Sequence, residues 1–454
     1  MIEYMTLTNF LSFKNETKFD FIASMEKPKK GFEYMKWYET VNKKKILKAQ
    51  FLFGNNATGK SNFLSSLSFI REIICGQKKS KTDDDSKIPD TYFKLSSTTI
   101  EQPSTLEIAF HTADNRYVYN VATYDNTIIE EQLRRSTSGK KEITIFTRKY
   151  DQHKDISIID FAPKVFDNAT ADAIRKSVIK NTSVISVYDE MNFESDDFKN
   201  VYQYFFYARV FYHFEDISLP SMLDSRKDKI RLKNMLLPLL QDLGSNIVDY
   251  VVSTIKEKIA ENEAKFLTNI MGEDKFKEQF PNGERKIRTL RFAHTADTPS
   301  KMGWLSESEE SYGTLNMIRL IILFYDACKY KSPLAVDECS IGIHQQTFGR
   351  IIQFFMATFE NMQFILASQQ ISLMDMDGFR RDTVKFFDKN RDTGVTTCKK
   401  IDLKKYHKNL SIVNAYFNSS FGCLPEFPNQ EQWIDKLIHY KNMLNDESST
   451  NTET

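Results

Sequence analysis

Phe51-Leu52-Phe53-Gly54-Asn55-Asn56-Ala57-Thr58-Gly59-Lys60-Ser61-Asn62 decides the reading of this chain. From Gly54 to Ser61 it spells Gly-x-x-x-x-Gly-Lys-Ser, the full phosphate-loop pattern. The run before it, Lys48 to Phe53, is short and apolar and reads as a buried strand. After it, Phe63, Leu64, Leu67, Ile70 and Ile74 recur at helical spacing. Strand, glycine loop and helix together are the context in which loop N–H groups point at phosphate oxygens. The helix N-terminus adds a partial positive charge at the same place. Gly54 through Asn62 are therefore nucleotide-binding candidates, with Lys60 on the β/γ-phosphates and Ser61 on Mg²⁺.

A distant stretch supplies the complementary acids. Leu334-Ala335-Val336-Asp337-Glu338 reads as a buried strand ending in two carboxylates. The first acid of such a pair holds Mg²⁺ through water, and the second is placed to polarise an attacking water. Asp337 is assigned to the metal together with Ser61, and Glu338 to the catalytic base. Ser311, Gly313 and Thr314 stand at the start of the apolar helix that begins near Leu315. A hydroxyl and N–H groups at a helix N-terminus suit an anion, although a simple N-cap uses the same residue types.

Composition bounds the rest. A chain of 454 residues that is 41% hydrophobic, with 36 Phe and 20 Tyr, can build a large core in one or two domains. The net charge of +1 gives no global attraction to nucleic acid. The five cysteines are scattered without a CxxC pair, so neither a disulfide framework nor a zinc site is expected. The N-terminus lacks signal-peptide architecture and no run is long enough to span a bilayer, so a cytoplasmic protein is expected.

Alternating apolar residues predict a hairpin over 1–22 that feeds the sheet beside the phosphate loop, and a lysine-rich surface loop follows over 24–47. A charged, solvated loop is expected over 76–87, where Lys78, Lys79 and Lys81 face three aspartates. Residues 103–160 alternate as an antiparallel lobe, with turns at Asp125-Asn126 and Ser138-Gly139. From 166 to 285 the pattern turns helical, including an amphipathic stretch from Ile247 to Phe266. The aromatic cluster from Tyr202 to Phe214 can stack bases, but its helical spacing fits a core better. Buried strands at 333–338 and 363–367 flank a helix with a Phe348, Ile351, Ile352 and Phe355 stripe. A hairpin over 384–398 follows, and 424–428 closes the core. A polar-faced helix over 433–444 precedes a disordered tail at 446–454. The expected domains are 1–165, the first half of a head; 166–288, a helical insertion or lid; 289–428, the second half; and 429–454, the C-terminal helix and tail.

On these residues the chain resembles the ATPase heads of the ABC type. Ser311-x-Gly313 ahead of an Asp-Glu strand end looks like their signature motif, which binds the γ-phosphate held by the opposite subunit. Asn9-Phe10-Leu11-Ser12-Phe13 resembles the opening of SMC/RecF-like heads, and Ser340 to His344 resembles the D-loop that crosses their dimer interface. Gly378 to Asp382, 384–389 and Ser419 to Pro425 are similar to the end of prokaryotic AAA ATP-binding proteins of phage-defence operons, abortive-infection and RloA-like ATPases among them. The resemblance covers most of the chain outside 166–285. It implies an α/β fold: an ABC-type P-loop head, mixed sheet plus antiparallel β lobe, with an inserted helical subdomain. It implies ATP and Mg²⁺, an ATP-sandwiched homodimer or higher oligomer, and a separately encoded effector, a nuclease or toxin. Two positions depart from the pattern. Many relatives carry a histidine on the γ-phosphate after the penultimate buried strand, where this chain has Ala367-Ser368-Gln369-Gln370. Gln369 can hydrogen-bond but cannot become a cation. Leu11 stands where relatives often have arginine. Slow hydrolysis by a nucleotide-dependent switch is the expectation. An SMC/RecF-like DNA-repair ATPase, kept alive by Arg134, Arg135, Lys140 and Lys141, and a nearly non-hydrolysing ATP-bound scaffold are the alternatives.

Overall fold

The computed structural model describes residues 1–76, 87–137, 140–163, 165–214, 217–296, 302–406, 410–424 and 429–450. The run Lys78, Lys79 and Lys81, the Ser138-Gly139 turn and residues 425–428 expected to close the core lie outside the described residues.

Ala49–Phe53, the strand that leads into the glycine loop, is buried along its whole length. Continuous burial follows from its place inside a six-stranded sheet. The order across that sheet is Arg209–Phe211, Pro333–Val336, Gln363–Ala367, Ala49–Phe53, Val384–Lys389 and Thr396–Lys400. The first five are mutually parallel and the last is antiparallel to its neighbour. Alternate residues feed two cores, as a pleated strand covered on both faces requires. Phe51, Phe53, Leu334, Val336, Phe364 and Leu366 pack with the helices Lys229–Asp242, Tyr312–Tyr330 and Gln345–Thr358. Leu52, Ala335, Ile365 and Ala367 pack on the other side, with the helix Lys60–Cys75. The predicted stripe Phe63, Leu64, Leu67, Ile70 and Ile74 is buried there.

The antiparallel lobe is a seven-stranded sheet, in the order Ile156–Phe161, Ile143–Asp151, Thr127–Thr137, Asn115–Tyr124, Ser104–His111, Ile2–Thr8 and Thr17–Asp20. The expected hairpin over 1–22 thus joins the lobe rather than the phosphate-loop sheet. Its apolar face closes over the helix Lys60–Cys75. A buried ion pair ties the lobe to the chain that leaves it. Arg148 meets Glu131 at 3.3 Å, both side chains at 0% exposure, and also donates to the carbonyls of Ile179, Lys180 and Thr182.

Several expectations are corrected. Residues 24–47 are not a loop throughout: Tyr38–Val41 and Lys44–Leu47 form a hairpin around Asn42 and Lys43, both at positive φ. Residues 166–288 are not helical throughout, because strands stand among their helices. Asn168–Ser177 and Asp196–Tyr207 are helices, but Ile174, Phe198, Val201 and Phe205 lie in the core of the β lobe. Arg209–Phe211 joins the central sheet. Ile247–Lys258 is a strand, not a helix, paired with Glu284–Thr295 in a long antiparallel arm; the helices Glu261–Met271 and Glu273–Gln279 sit at its tip. Met302–Ser306 pairs with the base of that arm. The outer half of the arm is solvated on both faces, so no burial period marks it as a strand. The C-terminal helix, Gln430–Thr450, extends through residues expected in a disordered tail; no Gly or Pro interrupts it there. Tyr202, Tyr204 and Phe205 are buried, in agreement with a core role. All five cysteines are free. No helix among the described residues is long and apolar enough to cross a membrane.

Candidate nucleotide site

Parallel strands place their C-terminal ends on one edge of a sheet, and ligands of open α/β sheets bind at that edge. The glycine loop, the two acids and Gln369 all leave the central sheet on this edge. Gly54 and Gly59 make the loop's path possible. Gly59 lies at φ +101, and a Cβ on it would stand 2.5 Å from Thr396 Oγ1 and 2.8 Å from Ser12 Oγ. Gly54 is boxed in by the Phe387 carbonyl and by Thr58 Oγ1. Ala57 also has positive φ. Thr58 Oγ1 donates to the Asn55 carbonyl at 2.8 Å and closes the turn on itself. Asn56 and Ala57 are exposed at its crest.

Lys60 is buried and donates to the Gly54 and Asn55 carbonyls at 2.7 and 2.8 Å. Burial lowers its pKa, opposed by the nearby Asp337 and Glu338 carboxylates. A phosphate is the counter-charge that such an ammonium lacks. Ser61, the next residue, donates its hydroxyl to Asp337 Oδ2. That contact joins the loop to the acid-bearing strand across the strand between them. Asp337 also accepts from the Glu338 N–H at 3.0 Å. Glu338 has positive φ, an uncommon conformation for a residue with a Cβ, and its carboxylate accepts from Gln369 Nε2 at 2.9 Å. Ser340 and Ser368 bond at 2.7 Å behind this pair, linking the same two strand ends. Lys60, Ser61, Asp337, Glu338 and Gln369 thus stand together at this edge of the sheet.

Ser12, Asn62 and Thr396 form a support that sequence reasoning missed. Ser12 Oγ accepts from Asn62 Nδ2 and Thr396 Oγ1, each at 2.8 Å. Thr396 Oγ1 also lies 2.9 Å from the Thr58 carbonyl. Ser12 falls in the opening motif Asn9 to Phe13, which was the available signal; nothing local marks Thr396. Leu11 sits beside this support at positive φ, its N–H on the Thr91 carbonyl at 2.5 Å. A cavity of about 1040 Å³ opens over the loop, lined by Asn55 to Thr58, Leu95, Leu424 and the 388–394 turn.

Ser311, Gly313 and Thr314 stand on a different surface, at the start of the helix Tyr312–Tyr330. Ser311 Oγ accepts from the Thr314 N–H at 3.0 Å, a true N-cap. Gly313 packs on the Gly342 carbonyl, in the loop that follows the two acids, with no room for a side chain. Asn316 Nδ2 donates to the neighbouring Ile341 carbonyl at 3.3 Å. Ser311, Gly313 and Thr314 line a second cavity of about 370 Å³ with Asn246, His294, Glu310 and His344.

The family described as "AAA domain, putative AbiEii toxin, Type IV TA system" matches residues 51–375. No curated protein matches the sequence. Among solved structures, the SMC head domain from Thermotoga maritima is 11% identical, with TM-score 0.38, over 88% of this chain and 99% of that one. An SmcHead bound to the C-winged helix domain of ScpA is 12% identical, with TM-score 0.39, over 89% and 98%. RecF with ATP is 11% identical, with TM-score 0.30, over 88% and 99%.

Proposed function

The chain belongs to this family of AAA domains, and on that premise we propose that it is an ATPase whose nucleotide site is completed by a second copy. The observation that carries the reading is the meeting of Ser61 with Asp337, with Glu338 and Gln369 beside them. A hydroxyl and a carboxylate at one point are the hard oxygen donors that Mg²⁺ takes. The ion would be held by Ser61 and Asp337, and when bound it neutralises phosphate charge. Loop N–H groups from Gly54 to Asn62 bind the phosphates. Lys60 exchanges its two carbonyl partners for phosphate oxygens. Glu338 takes the proton of the attacking water, oriented by the amide of Gln369.

Ser311, Gly313 and Thr314 line a cavity other than the one over their own loop and offer a capped helix N-terminus to an anion. In this reading they contact the γ-phosphate of the opposite head, giving a dimer with two shared sites. Gln369 stays neutral where a histidine could take up charge, so turnover is slow and the ATP-bound dimer is long-lived. Such an enzyme acts as a switch. The family description speaks of a putative toxin and a toxin–antitoxin system, which supports a defence role; control of a separately encoded nuclease or toxin is our reading of what the switch does. The DNA-clamp alternative stays open, although two of the four basic residues named for it are paired with acids. Arg134 binds Glu107 and Glu142, and Arg135 binds Asp197, at 2.8 to 3.0 Å.

Lys60→Ala tests the central assignment by fluorescent-nucleotide titration. Loss of ATP binding is expected, and retained affinity would sink it. Co-purification with a neighbouring gene product that survives nuclease treatment supports the switch; DNA affinity that falls steeply with salt supports the clamp.

A further inference from the structure

Glu310 poses an electrostatic problem. It directly precedes Ser311, at the helix end where the two-head reading seats an anion. Its side chain is only 6% exposed. A bare carboxylate there would repel a γ-phosphate and offset the favourable helix-terminus field. The structure places His294 on it. His294 Nε2 lies 2.5 Å from Glu310 Oε1, and Nδ1 lies 2.8 Å from Asn246 Oδ1. Both ring nitrogens thus meet a side-chain partner, Nε2 the carboxylate and Nδ1 the Asn246 amide. The His294 side chain is 13% exposed, so little water competes for these two contacts.

The position of His294 is fixed by the arm. It lies in Glu284–Thr295, the middle strand of the three-stranded sheet, opposite Ile247 on one side and Gly303 on the other. Asn246 immediately precedes the arm's first strand, and its carbonyl accepts from the Thr295 N–H at 3.1 Å. Met302–Ser306 then runs through a capping box, Ser306 with Glu309, straight into Glu310. Arg319, one helix face along, ties Glu307 at 3.3 Å. The arm base and the residue before the signature are therefore one hydrogen-bonded unit.

We propose that His294 is a charge-neutralising positioning residue for the signature. It cancels the Glu310 carboxylate and fixes the turn from which Ser311 and Gly313 meet the partner head's nucleotide. The inference rests on the two-head reading and assigns a residue outside the phosphate loop to it. It also gives the arm a regulatory role, because a partner that shifts the arm moves His294 and changes the charge presented beside Ser311.

A charge cycle tests this in the full chain. Dimerisation is measured by sedimentation velocity with Mg²⁺ and a non-hydrolysable ATP analogue, and phosphate-loop affinity by fluorescent-nucleotide titration of the monomer. His294→Gln should weaken the dimer roughly ten- to thirtyfold, the scale of one charge near a partly buried helix terminus, with nucleotide affinity within about twofold of the parent. Adding Glu310→Gln should restore dimerisation to within about threefold. Unchanged dimerisation in His294→Gln, or a double variant as weak as the single one, overturns the proposal; the latter outcome means that the pair matters for packing alone. Glu310→Gln by itself changes charge but hardly shape, and must dimerise at least as well as the parent. Weaker dimerisation there overturns the proposal even if His294→Gln folds poorly. Ser311→Arg separates the two levels. If it dimerises like the parent, the two-head reading fails and this inference with it; if it blocks dimerisation while the charge cycle is flat, only the role of His294 fails.

Discussion

Gly59→Ala puts the geometry of the loop to a quantitative test. The new methyl would sit 2.5 Å from Thr396 Oγ1, 2.8 Å from Ser12 Oγ and 2.9 Å from Thr396 Cγ2. Carbon–oxygen contacts normally begin at about 3.3 Å, so the loop and its support must separate by roughly 1 Å. Neither neighbour can simply turn aside. Thr396 is 1% exposed and its hydroxyl reaches both Ser12 Oγ and the Thr58 carbonyl. Overpacking of this kind costs about 1–3 kcal/mol, and a side chain at φ +101 adds about 1–2 kcal/mol. A 1 Å misplacement at a phosphate site costs on the order of a hundredfold in function. The steric and conformational parts can be told apart. In a Thr396→Ala background the two Thr396 contacts fall away while the backbone part and the Ser12 contact stay, so the cost of Gly59→Ala should drop but not below about 1–2 kcal/mol. Urea unfolding of the four proteins gives the coupling energy, and nucleotide titration the functional loss. An identical cost of Gly59→Ala in both backgrounds would refute the contact; full nucleotide affinity in the single variant would refute the fit of the loop to phosphate.

Glu338→Gln should retain ATP binding and lose on the order of a hundredfold in single-turnover hydrolysis; parent and variant hydrolysing equally slowly would remove Glu338 from the base role and favour the scaffold reading. Arg148→Met leaves the Glu131 carboxylate buried without its cation and should cost about 3–5 kcal/mol in urea unfolding, against a loss below about 1 kcal/mol if the pair were solvated. Burial pulls the Lys48 ammonium down to about 8 from its ordinary 10.5, while it donates to the Met356 and Phe359 carbonyls. Between those two values the unfolded chain binds more protons than the folded one, so this group makes stability rise with pH across that window and contributes no slope below it. The urea midpoint at pH 9.5 relative to pH 7.5 should therefore be more favourable in the parent than in Lys48→Met, and equal pH responses would show that the ammonium is not desolvated.

The parts of the molecule legible in the sequence are those whose physics is local. The glycine loop needs its residues in one window, and Ala49–Phe53 and Pro333–Val336 are apolar throughout because both sheet faces are covered. The arm was not legible. Beyond Val252 the strand Ile247–Lys258 is exposed on both faces, so selection for burial leaves no alternation, and its lysines and glutamates suit a helix equally well. Arg209–Phe211 is too short to declare itself within an aromatic run. The hairpin around Asn42 and Lys43 did carry a signal, since an Asn between two short alternating runs favours the positive φ of a tight turn. Thr396 under the loop and His294 on Glu310 were out of reach for a different reason. Each is an ordinary residue made specific only by a contact with a remote segment.

Those remote contacts also explain how a site at one sheet edge can answer to a distant element. Glu310, fixed to the arm by His294, is followed directly by the cap of the helix Tyr312–Tyr330. Gly313 on that helix meets the Gly342 carbonyl without a side chain between them, and Gly342 follows Glu338 within one tight loop. Glu338 is held by Gln369, and the two strand ends are bonded again through Ser340 and Ser368. Every link is backbone contact or a short side-chain bond, and close-packed interiors shift between discrete arrangements rather than yield gradually. In the proposed reading, a displacement at the arm base would reach Glu338 through this series of contacts. Its positive φ, costly for a side-chain-bearing residue, is kept in place by these same neighbours and by the Asp337 carboxylate on its N–H. In the proposed reading, loosening them would release that strain and move the carboxylate assigned as the base.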